Sequence, residues 1–197
     1  MNKTLEYYNT FHKDFITNTL EANASELHHS FLKYLPKGAS ILDLGCGSGR
    51  DSKVFINLGY KVCALDGSKE LCKFASEYIG QQVICKTFDE INFKEEFDGI
   101  WACASLLHIP YKDLPNIFKK LSKALKQEGH LYASFKYGDF EGERKGRYFT
   151  DLTEERLKQL LEPFDELEIV ETTITSDIRK GRDEEKWLNV MLNKVVR

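Results

Sequence analysis

Between residues 40 and 137 the chain alternates two kinds of hydrophobic pattern. Short, nearly unbroken apolar runs read as buried strands: "SILDLG" (40–45), "KVCALD" (61–66), "VICKTF" (83–88), "FDGIWACAS" (97–105) and "HLYASFKY" (130–137). Between them lie stretches whose apolar residues return every three or four positions, the spacing of a helix face. "RDSKVFINLGY" is one, closed by Gly59. "SKELCKFASEYIG" is another, capped by Ser68, with Leu71, Phe74, Ala75 and Tyr78 in one stripe and Gly80 as its stop; "LPNIFKKLSKALKQEG" is a third. Strands alternating with helices through short links predict an α/β fold with a parallel sheet covered on both faces, because each parallel crossover consumes a helix.

The pattern changes at both ends. The first 35 residues read as helical, with Leu27, Phe31, Tyr34 and Leu35 forming an apolar stripe before the break at Pro36. After residue 137 a glycine- and charge-rich stretch, "GDFEGERKGRYF" (138–149), precedes a helix capped by Thr153. Two β-rich segments follow, "LEIVETTITSDI" and "EKWLNVMLNKVV", joined by only "RKGRDE". So short a link cannot hold a crossover helix, so the last strand should run antiparallel.

With 197 residues, one domain is expected over 1–197: an N-terminal helical cap (1–35), a core (36–137) and a candidate lid (138–149). The net charge of −3 supplies no global field toward nucleic acid or anionic lipid. The start lacks the apolar core of a signal peptide and no run reaches a membrane span, so a cytoplasmic protein without membrane association is expected. Five cysteines, Cys46, Cys63, Cys72, Cys85 and Cys103, show no CxxC spacing. They read as reduced thiols, most of them packing as small hydrophobes, and imply no metal.

The richest chemistry lies in "ILDLGCGSGRD" (41–51), where a strand ends, turns and becomes a helix. Glycines there allow close approach of main chain to ligand, and free N–H groups at a helix start suit polar ligand atoms. The spacing is G-x-G-x-G at Gly45, Gly47 and Gly49, unlike the G-x-G-x-x-G of dinucleotide binders. Asp43, two residues ahead of the first glycine, would oppose a bound pyrophosphate and argues for a cofactor with a cationic end.

Together with Asp66 in "ALDGS" and the fourth strand "FDGIWACASLLHI", this loop resembles the class I S-adenosylmethionine-dependent methyltransferases over about residues 36–137. The resemblance implies a three-layer Rossmann-like fold with a seven-stranded sheet in the order 3-2-1-4-5-7-6, its last strand antiparallel, and S-adenosyl-L-methionine as cofactor. It places Asp43, Gly45, Cys46, Gly47 and Gly49 beside the methionine part, and Asp66 on the ribose hydroxyls. Gly67 and Ser68 would border the adenosine, Phe88 and Asp89 the adenine, and Ala102 and Cys103 would bring carbonyls toward the methionine amine. More narrowly, "WACASLLHIP" and "YASFKYGDFEGERKGRYF" are similar to the small bacterial tellurite-resistance methyltransferases.

On the acceptor side, His108 in "LLHIP" is the candidate general base, since an imidazole titrates near working pH. His28 and His29 lie on a helix away from that edge and read as surface or packing. Candidate substrate residues are Tyr8, Lys136, Tyr137, Arg144, Arg147 and Tyr148, with Arg182 and Trp187 near the final hairpin. Tyr7, Tyr8, Phe11 and Phe15 repeat at helical spacing and either close over the cofactor or pack a helix. From Lys136 to Arg147 four basic residues face three acids, a balance that suits a small polar or anionic acceptor better than a nucleic-acid backbone. The expected protein is a small-molecule methyltransferase, monomeric or weakly dimeric. The alternatives are a tRNA or protein methyltransferase and a non-catalytic domain that binds the cofactor.

Overall fold

The computed structural model describes residues 3–196. Three short helices, α1 (Lys3–Thr10), α2 (His12–Thr19) and α3 (Ser25–Leu32), lead into β1 (Ser40–Leu44). The chain then alternates through α4 (Arg50–Asn57), β2 (Lys61–Asp66), α5 (Lys69–Ile79), β3 (Ile84–Cys85), β4 (Phe97–Ala102), α6 (Leu114–Ala124) and β5 (Leu125–Lys136). A hairpin of β6 (Glu141–Arg144) and β7 (Arg147–Thr150) precedes α7 (Glu154–Leu161), β8 (Leu167–Ser176) and β9 (Lys186–Lys194).

Seven strands form one sheet in the order β3-β2-β1-β4-β5-β9-β8, while β6 and β7 pair only with each other. β1 through β5 run parallel, and β9 is antiparallel to both β5 and β8. Counting sheet strands alone, this is the expected order 3-2-1-4-5-7-6 with its antiparallel last strand. The physical cause is visible in the pleat. On β1, Leu42 and Leu44 face a core shared with α6 and α7, whereas Ile41 faces a second core with Phe31 of α3 and Phe55 of α4. Trp101 and Tyr132, register partners on β4 and β5, stack on that second face with centroids 4.1 Å apart.

The caps read from sequence form as expected: the Ser68 hydroxyl accepts from the Leu71 N–H, Thr153 does the same for Arg156, and Gly80 ends α5 at φ +79°. Three elements differ from expectation. β3 shrinks to two residues because Thr87 and Glu90 form a reciprocal capping box that turns Phe88–Glu90 into a 3₁₀ helix. α6 stops at Ala124 rather than continuing toward Gly129, since Leu125 is fully buried and pairs with Phe97 while Lys126 reaches Asp98 at 2.9 Å. Tertiary pairing outweighs the helix propensity of "KALKQE". The charged stretch after β5, expected as a candidate lid with no element assigned to it, holds the β6–β7 hairpin. Among the described residues no helix is long and apolar enough to cross a membrane.

Candidate active site

The carboxyl ends of β1, β2 and β4 open into a cleft with two adjoining lobes, of about 350 Å³ and about 160 Å³. They share Tyr8, Phe15, Gly45, Gly47, Ala104 and His108 along their boundary. Such a crevice at a strand-order reversal is where open α/β sheets bind ligands.

The glycines of the loop serve different ends. At Gly47, φ +55°, a Cβ would come within 2.9 Å of the Phe15 ring, so the bare main chain lets α2 lie across the cleft. At Gly49, φ +79°, a Cβ would come within 2.9 Å of Ile79, so this glycine permits α4 to start against α5 and does not line the cleft. The loop amides are less free than expected: the N–H groups of Gly45 and Cys46 donate to the Leu65 carbonyl, and Gly47 N–H donates to Asp66 Oδ2 at 2.9 Å.

Asp66 also accepts from Ser68 N–H at 2.8 Å and still lines the larger lobe beside Gly67. A carboxylate has about four lone-pair sites, so acceptor capacity remains for a vicinal diol. Burial pushes its pKa up, while the bonds from Ser68, Gly47 and Gly67 oppose that shift.

Asp43 is buried beneath the loop and accepts from the Ser52 hydroxyl at 2.6 Å, away from both lobes. Burial, reinforced by the neighbouring charge of Asp51, raises its pKa to about 8. Near the glycine loop, the acid that does line the smaller lobe is Asp51, a first-turn residue of α4. It is held by Arg50 at 2.8 Å, by His28 Nε2 at 2.8 Å and by the Trp101 indole N–H at 2.9 Å. Burial opposes its ionisation, but the Arg50 charge and the His28 bond hold it well below the usual carboxylate range. Asp43 thus lies beneath the loop, bonded to Ser52, while Asp51 lies beside the cleft. His28, expected as surface or packing, is a packed residue that steadies this charge; His29 is exposed.

Of the expected cofactor residues, Gly45, Cys46, Gly47, Asp66 and Gly67 line the cleft at the tips of β1 and β2, Phe88 and Asp89 line it beyond β3, and Cys103 lines it after β4. Asp43, Gly49, Ser68 and Ala102 do not: Ser68 caps α5 and Ala102 is fully buried in the sheet. Ala104 and Ser105, slightly further along, take the place at the cleft, and the buried Ser105 hydroxyl has no protein partner. Burial raises the Cys103 thiol to about 12, so it lines the wall as an uncharged group.

His108 sits where both lobes meet, yet both ring nitrogens are engaged. Nδ1 lies 2.7 Å from the Tyr148 carbonyl, which fixes the proton there, and Nε2 accepts from the Tyr8 hydroxyl at 2.8 Å. Burial lowers its pKa to about 4. Burial raises the pKa of the Tyr8 hydroxyl, to which Arg147 donates at 3.3 Å. Tyr8, Lys136, Arg147, Arg182 and Trp187 line the smaller lobe. Tyr137, Arg144 and Tyr148 point elsewhere, to Glu154, Asp151 and Glu141 respectively. Sequence reasoning passed over Arg50 and Asp51, although they directly follow the third glycine, and Asp177 and Arg179, which close the smaller lobe from the β8–β9 connection.

Residues 42–133 match the family model described as "Methyltransferase domain". A ubiquinone biosynthesis O-methyltransferase of Xanthomonas axonopodis is 32% identical over 119 residues, which are 57% of this chain and 49% of that protein. The chain spans about half the length of the curated relatives it matches. Among solved structures, a SAM-dependent methyltransferase from Methanosarcina mazei superposes with TM-score 0.75 at 20% identity, covering 88% of this chain and 98% of that one. The Burkholderia thailandensis 1,6-didemethyltoxoflavin-N1-methyltransferase, solved with its substrate and S-adenosylhomocysteine, gives TM-score 0.74 at 20% identity over 98% and 91%. The shared architecture is the Rossmann-like methyltransferase fold.

Proposed function

We propose that this methyltransferase domain, which takes S-adenosylmethionine as methyl donor, transfers the methyl group to a small-molecule acceptor seated in the smaller lobe. The observation that carries the reading is Asp66: a buried carboxylate, braced by two main-chain N–H groups, at the wall of a cavity of about 350 Å³ directly beside the glycine loop.

The cleft fits such a cofactor by its chemistry. Asp66 accepts the two ribose hydroxyls, Gly67 allows close approach, and Phe88 with Leu71 offers apolar surface to the adenine, with Asp89 at its rim. Ionised Asp51, beside Gly45, Cys46 and Gly47, faces the cationic amino-acid end. The bound cofactor supplies an electrophilic methyl on a sulfonium, and the protein's part is alignment and exclusion of water. Tyr8 orients the acceptor: its hydroxyl proton is committed to His108 and one lone pair to Arg147, leaving the other for an acceptor O–H or N–H. His108 acts as a neutral positioning partner. The tellurite-resistance-type affiliation rests on residues 101–110 and 132–149 alone, and the five free thiols support a reducing, cytoplasmic setting.

Calorimetric titration of S-adenosylhomocysteine tests the cofactor half: Asp66→Ala should weaken it by at least about tenfold, since each charge-assisted bond contributes about 1.5 to 3 kcal/mol. Unchanged affinity would remove the ribose assignment. Incubation with S-adenosylmethionine and a metabolite extract should yield small products heavier by one methylene. Tight cofactor binding with no methylated product would make the domain a sensor instead.

A further inference from the structure

The smaller lobe is lined by more positive than negative charge. Five cations line it, and four have a carboxylate within reach: Arg50 has Asp51, Arg179 has Asp177, and Lys136 and Arg182 share Glu185. Arg147 has none among the described residues. Its guanidinium rests against aromatic rings, 4.6 Å from the Tyr7 centroid, 5.7 Å from Tyr8 and 5.2 Å from Phe149. Of its N–H donors, one terminal nitrogen donates to the Tyr8 hydroxyl, and the buried Nε has no partner. The hairpin register also sets Arg147 directly opposite Arg144, a like-charge pairing that ordinarily destabilises a two-stranded sheet. Arg144 is compensated by Asp151 at 2.6 Å, so the uncompensated charge is the one turned toward the cleft. Leu107, Phe149 and Trp187 give the lobe an apolar wall, while Ser134, Thr175, Ser176 and Asn189 line other parts of it.

We infer that the acceptor is a small planar carboxylate, its anionic end held by Arg147 and its ring against the apolar wall. A guanidinium with free donors beside aromatic faces recognises a carboxylate by paired hydrogen bonds, which a neutral amide of the same shape cannot replace. The inference rests on the methyltransferase reading and narrows its substrate class.

The test uses the full chain saturated with S-adenosylhomocysteine and three matched pairs of probes: benzoate and benzamide, 4-hydroxybenzoate and 4-hydroxybenzamide, 2-aminobenzoate and 2-aminobenzamide. At least one acid should bind about tenfold or more tightly than its amide. Arg147→Gln should abolish that preference, and Arg147→Lys should restore part of it, while S-adenosylhomocysteine affinity stays within about twofold in both. If no acid outbinds its amide, or if Arg147→Gln keeps the preference, the inference fails. Loss of S-adenosylhomocysteine binding by the unaltered protein would instead overturn the underlying reading.

Discussion

The two lobes of the cleft are built in opposite ways. The larger lobe centres on main chain and the Asp66 carboxylate at the tips of β1 and β2, which lie side by side in the sheet, with Leu5, Leu71, Phe88 and Asp89 around them. The smaller lobe is mostly side chain, gathered from Tyr8, His108, Arg147 and Trp187, residues spread over nearly the whole sequence. The first should tolerate side-chain exchange around it but no added Cβ. The second should keep its shape under conservative change and lose its selectivity when one functional group is removed.

Substituting the loop glycine that touches the β4 exit should have the largest effect. Gly45→Val would place a Cβ 2.5 Å from Ser105 Cβ at a φ of +77°. About 3 kcal/mol or more of stability should be lost, and cofactor binding with it, as read by urea denaturation and calorimetry. A stable, cofactor-binding Gly45→Val protein would break the contrast between the lobes.

Tyr8→Phe comes next. It leaves His108 Nε2 without its donor, at a cost of about 1 to 2 kcal/mol in stability. Methyl transfer should fall further than cofactor affinity does. Equal losses in kcat and in cofactor affinity would make Tyr8 part of the cofactor site rather than of the acceptor site.

A pH series separates the floor of the cleft from its boundary. In the fold Asp43 keeps its proton up to about pH 8, whereas an unfolded chain releases it near about 3.9. Between those values the folded state binds the extra proton, so the contribution of Asp43 to stability falls as pH rises. His108 runs the other way. Its folded value of about 4 lies below the unfolded value of about 6.5, so stability from this group rises with pH across that window. The difference in urea midpoint between wild type and Asp43→Asn should therefore decline toward about pH 8, and that for His108→Gln should climb until about pH 6.5. A flat difference for Asp43→Asn would show that its carboxyl is ionised beneath the loop.

The smallest effect is expected from Arg144→Gln. Its pair with Asp151 is about a third exposed on the arginine side, and its loss should cost about 1 kcal/mol. Binding in the cleft should not change. A loss of acid preference in this variant would show that the hairpin contributes both arginines to the acceptor.

The same contrast explains what the sequence could and could not reveal. The strand-helix alternation, the sheet order and the cleft-lining position of Asp66 all rest on local pattern, and the structure has them. Asp43 was misjudged as a cleft residue because pleat alternation shows its sheet face but not that Ser52 and Asp51 of α4 would cover it. β3 was overlong because "TFDE" carries a capping signal within an apolar run. The hairpin stayed hidden because its pairing is buttressed from afar: Tyr148 N–H donates to the Thr4 hydroxyl, and Tyr7 lies under Arg147. For the same reason Arg144 and Arg147 were indistinguishable in sequence, and only the docking of α1 separates their roles.

The first two helices lie over two of the glycines that line the cleft. Leu5 reaches to 2.8 Å from where a Cβ on Gly67 would sit, and Phe15 to 2.9 Å from the same point on Gly47. A nucleoside-sized molecule entering on this side would have to push Leu5 and Phe15 aside, so the docking of α1 and α2 narrows the way into the cleft.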